Sequence, residues 1–401
     1  MYISIADAQH VWIGTIQEMG DPYSMSVKTT NGGNSWELDS IPVPGSPVCA
    51  AISSVDSNTC YYLFIDNDLG EGTIWKTTDG GESWINTISN QFVDGFANAV
   101  QAFDADNLVA MGDPNGGYFE IQLSSDGGVT WERVPSSNVP ASLTNEYGTM
   151  GCYAAYGNSV WFTTNKGRCF RSEDNGVHWE VTEVVPSMDG TFYVCFSTEL
   201  NGAFWQGDEV SSTVYITQDG GVTWTPVSFP SGYVIMNMSP VAGFEEGFVV
   251  TAWHNYTDVF FTPNLFSNVL PMDESLISMG SVAFLDPSTG WLGGGESGTN
   301  QIYKFNGIIT AAGQAQNEEG TFAIIPNPAV SDALVKLPAS LNSMNPEIRI
   351  LDISGRLIDR VRIFSTDWTT LNAAVYQNGI YLVEYRENHQ LLATQRWIVQ
   401  H

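Results

Sequence analysis

Short polar segments along the first 300 residues carry side chains that can bind a cation or move a proton. Carboxylate oxygens are the ligands that Ca²⁺ takes in proteins, and two carboxylates at a suitable separation act as acid and base on a glycosidic bond. Which chemistry follows depends on whether the fold brings these side chains together. The candidate ligand-binding residues are Asp66, Asp68, Asp113, Asp208, Glu209, His254, Asp258 and Glu296, with Glu18 and Asp21 in the first such segment.

A repeated motif, Ser/Thr-x-Asp/Asn-x-Gly-x-x-Trp, organises this part of the chain. The Asp or Asn can accept hydrogen bonds from N–H groups of its own turn, the Gly supplies a backbone shape that a Cβ would obstruct, and the Trp packs on the sheet. A degraded sixth copy lies at Thr262, Asn264 and Val269. The five complete copies, 45 to 48 residues apart, contain Asn31, Asp79, Asp126, Asp174 and Asp219, followed by Trp36, Trp84, Trp131, Trp179 and Trp224.

An apolar strand, a polar turn and a second apolar strand precede each motif, as in VQAFDADNLVAMG at 100–112. Four short strands in about 45 residues are typical of a propeller blade. The last blade is short, because only residues 307–313 remain for its outer strand. We therefore predict an all-β chain that opens with a seven-bladed β-propeller, with inner strands beginning near Ile3, Cys49, Val100, Cys152, Tyr193, Val234 and Val282.

The topology of such a blade gives the candidate residues a common location. Loops between the second and third strands share one rim with the connections between blades, opposite the motif turns. We therefore expect the carboxylates of six blades to face one mouth of the ring, with Lys166 in the fourth blade as the exception. A solvated acidic rim without a ligand is the simpler interpretation of the same pattern.

The motif resembles the Asp box, or BNR repeat, of sialidase-like propellers, sortilin-type ectodomains, some endoglucanases and propellers similar to the photosystem II assembly factor. The unit VAFLDPSTGWLGG at 282–294 is most similar in style to the last group. The resemblance implies a propeller over residues 1–310. It also implies that the boxes are structural, because the Asp box of that family lies at the blade periphery and does no chemistry.

Sialidase chemistry can be tested against the residues. That family needs three arginines around the substrate carboxylate, a Tyr–Glu nucleophile pair and an acidic Asp. Only Arg133, Arg168 and Arg171 fall within the predicted propeller, and the last two share one strand. We therefore predict no sialidase activity.

The C-terminal residues differ in composition from the repeats. A small polar linker at 311–321 precedes residues 322–401, which predict a small Ig-like β-sandwich. This segment resembles the type A C-terminal sorting domain of Bacteroidetes-type type IX secretion (Por) substrates. The resemblance implies export through the outer membrane and, often, cell-surface attachment; an adhesive sandwich without a sorting role is the alternative. The matching features are Pro326–Ala329, the Asp352–Gly355 turn before Arg356, Gly379–Tyr381 and a final basic-apolar strand.

Charge and composition exclude several classes. Residues 322–401 hold seven basic and seven acidic residues, so the first 321 carry the whole net charge of −30. Such a surface repels nucleic acid and anionic membranes. No run of about 18 apolar residues predicts a membrane span, and the motifs HExxH, GxxxxGK[S/T] and GxSxG are absent. No leader is evident at Met1, and we expect that one was removed from an exported chain.

The cysteines show no metal-ligand pattern, and the Cys49–Cys60 and Cys152–Cys169 bridges stay open alternatives for an exported protein. The set is Cys49, Cys60, Cys152, Cys169 and Cys195. The opening Asp-x-Asp of residues 66–72 is the one calcium indication, and the later ligands of a calcium loop are missing. We therefore expect no cofactor.

The function favoured by these observations is an exported cell-surface propeller that binds a glycan or a protein through its rim. The alternative is a glycoside hydrolase that uses two rim carboxylates. A third hypothesis, an assembly factor for an envelope complex, rests on the style of the repeats alone.

Overall fold

A computed structural model gives the fold of the chain as two compact units, Met1–Ala311 and Ala312–His401. All regular structure among the described residues is β-strand except one 3₁₀ turn, Ala373–Val375. No helix in these ranges is long and apolar enough to cross a membrane. The structure describes residues 2–14, 24–45, 47–66, 72–88, 91–92, 96–186, 188–207, 213–254, 257–274, 279–294, 301–305, 307, 309, 323–325, 329, 332–336, 346–352, 356–363, 368–387 and 390–399.

The first unit consists of seven antiparallel sheets, numbered in chain order, each built from consecutive strands. Sheet 1 contains β1 (Tyr2–Ile5), β2 (Val11–Gly14), β3 (Ser24–Thr29) and β4 (Glu37–Ile41). Sheet 2 contains β5 (Pro47–Ser54), β6 (Cys60–Asp66), β7 (Gly72–Thr77) and β8 (Ile85–Asn86). Sheet 3 contains β9 (Ala97–Ala102), β10 (Leu108–Pro114), β11 (Phe119–Ser124) and β12 (Glu132–Arg133).

The remaining sheets repeat this order. Sheet 4 contains β13 (Gly148–Tyr156), β14 (Ser159–Thr164), β15 (Arg168–Ser172) and β16 (Glu180–Glu183). Sheet 5 contains β17 (Phe192–Phe196), β18 (Gly202–Gln206), β19 (Thr213–Thr217) and β20 (Thr225–Ser228). Sheet 6 contains β21 (Val234–Pro240), β22 (Phe248–Trp253), β23 (Thr257–Thr262) and β24 (Leu270–Glu274). Sheet 7 contains β25 (Met279–Asp286), β26 (Thr289–Gly294) and β27 (Gln301–Lys304).

The seven sheets close into a ring. The first strand of each sheet contacts the first strand of the next, and β25 of sheet 7 contacts β1 of sheet 1. Second strands are enclosed by neighbouring sheets, and β2, with all four residues buried, shows why their sequences are continuous apolar runs. The all-β propeller prediction is confirmed. Within the described residues sheet 7 has three strands, and residues 310–313, part of its predicted outer strand, lie outside them.

The Asp-box motifs form the turns between third and fourth strands. In sheet 2, Thr77 Oγ1 accepts a hydrogen bond from Gly81 N–H and donates one to Asp79 Oδ1, both at 2.8 Å. Asp79 Oδ1 also accepts from Ser83 N–H at 2.9 Å. The same three bonds recur in the four other complete motifs, so the hydrogen bonds expected of the Asp and Asn residues are present.

The degraded sixth copy makes the corresponding bonds. Thr262 Oγ1 accepts from Phe266 N–H at 2.7 Å, and Asn264 Oδ1 accepts from Asn268 N–H at 2.9 Å. Leu265 and Phe266 have φ angles of +46° and +64°, at the two positions where most other turns have glycine. Both side chains are buried in the core of sheets 5 and 6, and this burial offsets the cost of a left-handed backbone.

Each box turn is tied to the turn between the first two strands of its own sheet. Gly80 N–H donates to Asn58 O at 3.0 Å in sheet 2, and an equivalent bond occurs in sheets 1, 3, 4, 5 and 6. These two sets of turns therefore lie on one face of the ring, which we call the box face. The loops between second and third strands and the connections between sheets lie on the opposite face, which we call the rim face.

Lysines on third strands link neighbouring sheets at the box face. In each pair the lysine ammonium donates to a carbonyl of the next sheet's box turn and lies 5.4 to 5.9 Å from the centroid of an aromatic ring on its own second strand. The last pair joins sheet 7 to sheet 1. The pairs are Lys28 with Gly80, Lys76 with Gly127 and Lys304 with Gly32, the last at 2.7 Å.

The second unit has two antiparallel sheets around one core. One contains β28 (Ala323–Ile325), β29 (Asp332–Lys336) and β32 (Trp368–Asn372). The other has the order β31 (Leu357–Arg362), β30 (Pro346–Asp352), β33 (Gly379–Glu387) and β34 (Gln390–Val399). Side chains from both sheets meet in the core, with Val335 and Leu371 from the first and Trp397 from the second fully buried.

The sorting-domain motifs occupy defined places where they are described. Ala329 N–H donates to Ile398 O at 2.8 Å, which holds the start of the unit against its last strand. Asp352 accepts from the backbone N–H and from Nε of Arg356, at 3.0 and 2.9 Å. Gly379–Tyr381 begins β33, and Pro326, Asn327 and Pro328 lie outside the described residues.

All five cysteines are free and buried, so neither bridge left open by the sequence is formed in this structure. Burial in apolar surroundings raises the pKa of the Cys49 thiol to about 12. The thiols therefore act as small apolar core groups.

Candidate functional site

The rim face holds the candidate residues, and the structure describes four of them. Asp66 ends β6, Asp113 lies near the end of β10, His254 follows β22, and Asp258 lies in β23. The others lie outside the described residues: Glu18, Asp21, Asp68, Asp208, Glu209 and Glu296. Within the described ranges, no three His, Cys, Asp or Glu side chains are grouped as a metal site requires.

Asp113 is held between sheets 3 and 4. Its Oδ1 accepts from Asn98 Nδ2 at 2.8 Å and from Gly148 N–H at 2.9 Å. The carboxyl is partly buried, and desolvation raises its pKa above the ordinary value although both hydrogen bonds act in the opposite direction. Asp113 therefore joins the end of one sheet to the start of the next.

Asp258 and His254 are brought together by Tyr233, in the connection between sheets 5 and 6. Tyr233 Oη donates to Asp258 Oδ2 at 2.6 Å. The Tyr233 and His254 rings lie 5.4 Å apart, and His254 is exposed. Trp253, the last residue of β22, is 45% exposed, but it faces away from Asp258 because Asp258 is paired with Ala252 across the two strands.

The other described rim charges are also engaged. Asp66 packs on the connection before sheet 2, where a Cβ on Gly45 would lie 2.2 Å from Asp66 Oδ2. In sheet 4, Lys166 Nζ donates to both oxygens of Asp189, at 2.7 and 2.9 Å. The described carboxylates thus serve their own loops, and the structure does not assemble them into a common group at the mouth.

Tyr2 crosses the axis of the ring near its rim end. A Cβ on Gly151 in β13 would lie 2.4 Å from Tyr2 Cε1, so the aromatic ring of sheet 1 rests against the backbone of sheet 4. Gly151 has φ +71°, a conformation that also favours glycine. Because sheets 1 and 4 lie on opposite sides of a seven-membered ring, Tyr2 obstructs the channel, and ligands approaching from this side meet the rim face.

The connection between sheets 3 and 4, residues 134–147, is the longest between described sheets. Glu146 forms an ion pair with Arg168 at 2.9 Å, with side chains 0% and 9% exposed. Glu146 also accepts from Thr164 Oγ1 and from Leu143 N–H, both at 2.7 Å. This network fixes the end of the loop, which presents Leu143, Tyr147 and the following Met150 at 49%, 51% and 37% exposure.

The three arginines considered for sialidase chemistry have separate structural roles. Arg168 pairs with Glu146, Arg171 pairs with Glu173 and Glu180 on the side of the box turn, and Arg133 lies over the Tyr118 ring, 4.4 Å from its centroid. They do not converge on one position, as a carboxylate-binding triad must.

The sequence did not single out Glu146, Tyr147, Leu143 or Asn98. Its one signal for them is the length of the connection before sheet 4. That length is hidden in the repeat, because the motif spacing from Trp131 to Trp179 is as regular as the others.

Comparisons with known proteins agree with this architecture. Residues 323–400 match the family model of the secretion system C-terminal sorting domain, and residues 19–167 match that of the DUF6242 beta propeller domain. No curated protein matches the chain significantly.

Solved structures share the propeller fold at low identity. YCF48 bound to D1 peptide has a TM-score of 0.57 and 12% identity, over 77% of this chain and 93% of that one. YCF48 from Cyanidioschyzon merolae has a TM-score of 0.52 and 11% identity, over 76% and 94%. The GH74 xyloglucanase from Xanthomonas campestris, at a TM-score of 0.48 and 13% identity over 97% and 68%, is too distant to support an argument. These likenesses show the fold alone.

Fold and family matches together define the class: the chain is a β-propeller followed by a secretion-system C-terminal sorting domain. The sorting domain in turn implies an exported protein, secreted or held at the cell surface, that interacts with the type IX secretion system.

Proposed function

We propose that this protein is an exported binding module that recognises a glycan or a protein at the cell surface through the rim face of its propeller. The observation that carries the proposal is the group of Leu143, Tyr147 and Met150 beside a buried ion pair. Aromatic and methionine side chains are enriched in binding surfaces, and a rigid loop loses little entropy when a ligand binds.

The box face offers no comparable group. Its turns expose single aliphatic side chains, and isolated exposed apolar residues are normal on protein surfaces. Each belongs to a different sheet: Val129, Val177 and Val222. This difference supports placing the ligand on the rim face.

A binding experiment tests the proposal directly. The full chain is screened against immobilised polysaccharides and synthetic peptides, and peptides belong in the panel because a propeller of this fold, YCF48, has been solved with a bound peptide. We expect at least one ligand to bind wild type and to lose affinity about tenfold or more when Tyr147 is replaced by Ala. Equal affinity of Val222→Ala, on the box face, is the control. Retention of the ligand by Tyr147→Ala at wild-type affinity would count against the rim face.

Glycoside hydrolysis is the second candidate, and Asp113 is the observation that favours it. Its raised pKa is the property that a general acid needs. Its partner would be a rim carboxylate outside the described residues, such as Asp68 or Asp208. New reducing ends from a polysaccharide panel, lost in Asp113→Asn at unchanged melting temperature, would establish an enzyme; their absence across the panel leaves the binding function.

A further inference from the structure

A narrow cleft opens between sheets 3 and 4 beside the exposed loop. It contains a cavity of about 10 Å³ lined by residues of both sheets, enough for one water-sized group. Gly148, between Tyr147 and Met150, is one of its lining residues, and Gly148 N–H donates to Asp113. The loop and the cleft therefore form one continuous surface.

The cleft contains an acceptor without a donor. Asn98 is 6% exposed, and its Nδ2 is used by Asp113. Its Oδ1 is buried and has no hydrogen-bond donor among the described residues. An unpaired buried carbonyl costs free energy that an incoming N–H donor restores. The partly buried Asp113 carboxyl, one bond away, adds negative charge at the same place.

The charge of the propeller indicates the nature of the donor. Each of its basic side chains is used in an internal contact, so none is left to balance the acidic surface. Such a surface attracts cationic partners and repels anionic ones. The contacts are Lys28 with Asp39 and Glu37, Lys76 with Gly127, Arg133 with Tyr118, Lys166 with Asp189, Arg168 with Glu146, Arg171 with Glu180, and Lys304 with Gly32.

We propose that loop 143–150 and the adjacent cleft form the docking site for a basic segment of a partner protein. The aliphatic stem of a lysine or arginine lies along Tyr147 and Met150, as such stems do on apolar surfaces. Its N–H donors reach Asn98 Oδ1 and the Asp113 carboxylate, where the pairing is charge-assisted. This inference rests on the proposed binding function and specifies its ligand.

The test uses the full chain and a fluorescein-labelled synthetic peptide of alternating Lys and Leu, with a Glu–Leu peptide as the charge control. Fluorescence anisotropy at 0.15 M NaCl gives the affinity. We expect the Lys–Leu peptide to bind wild type, Leu143→Ala/Tyr147→Ala to weaken it at least tenfold, and Asp113→Asn to weaken it about fivefold. Leu200→Ala, an equally exposed leucine on the box face, should leave it unchanged.

Two controls keep the test specific. Both altered side chains of the loop are exposed, and unchanged melting temperatures establish that the fold is intact. Hydrogen exchange of residues 143–150 should slow when the peptide binds, and a Leu–Lys peptide acetylated on its lysines should lose its affinity, since it keeps the apolar side chains without the charge.

The outcomes separate this inference from the function on which it rests. Equal binding of the peptide by wild type and the loop variant, or tighter binding of the Glu–Leu peptide, overturns the docking site. If a polysaccharide binds at Tyr147 while the basic peptide does not, the binding module stands and the basic partner is wrong. If neither class binds at millimolar concentration, both proposals fail.

Discussion

The two faces of the propeller use their acidic residues in opposite ways. On the box face, hydrogen bonds from the Ser83 hydroxyl and N–H and from Thr77 hold the pKa of Asp79 down to about 2, and the same turn is repeated around the ring. On the rim face, burial raises the pKa of Asp113, and each loop is different. The comparison teaches that repetition builds the scaffold, whereas the irregular connections carry what is particular to this protein.

The largest expected effect comes from the buried pair on the rim face. Glu146→Ala leaves Arg168 buried without a counter-charge and removes the acceptor of Thr164 Oγ1 and Leu143 N–H. We expect the free energy of unfolding of the propeller to fall by about 3–5 kcal/mol in urea titrations followed by tryptophan fluorescence. Lys166→Ala, which breaks an exposed pair with Asp189, should cost about 1 kcal/mol or less. Similar losses in the two variants would contradict a special role for the loop.

Acid unfolding should report the box face. A carboxyl whose pKa is about 2 in the folded state and 3.8 as a model value contributes stability that is present above about pH 4 and lost as the pH falls to about 2. We expect Asp79→Asn to keep the turn, because Asn31 accepts the same bonds in sheet 1, and to shift the acid midpoint upward by less than ~0.5 pH unit.

The rim residue Asp113 supplies the opposite sign as a control for that measurement. Its folded pKa is raised, so the cost of burying its charge is relieved as the pH falls through that pKa. Asp113→Asn should therefore be at least as stable as wild type at pH 7, and the difference should shrink toward pH 3. A gain that grows on acidification would mean that the two faces do not differ as described.

The smallest effect concerns the one complete box that departs from the Gly-Gly or Gly-containing pattern of its neighbours. Asn175 has φ +58°, and its Oδ1 is buried without a described donor. Asn175→Gly should raise the free energy of unfolding of the propeller by about 0.5 kcal/mol, since glycine adopts this backbone freely and leaves no unpaired oxygen. Calorimetric melting of the two proteins decides it, and a lower melting temperature for the variant would be the contrary result.

How far the sequence predicts this molecule follows the same division. The box turns were predictable residue by residue, even at Thr262 and Asn264, because the side-chain bonds are local and recur at a fixed spacing. The candidate site was not, because Asn98, Asp113 and Gly148 meet only when two sheets pack, and nothing local marks them. The expectation of a shared carboxylate group failed to appear at Asp113 and Asp258 because each is bonded to its own connection.

The contact between Lys304 and Gly32 determines when the ring can be finished. These residues are 272 positions apart, and the sheets they join are each built from consecutive strands of their own, among the residues described. Sheets 1 to 6 can form one after another as the chain becomes available, but closure waits for nearly the whole propeller sequence. Such non-local contacts are slow to form. The final, rate-determining event of propeller folding is therefore expected to be the meeting of its first and last sheets, and the timing of that event relative to export is set by the chain's own ends.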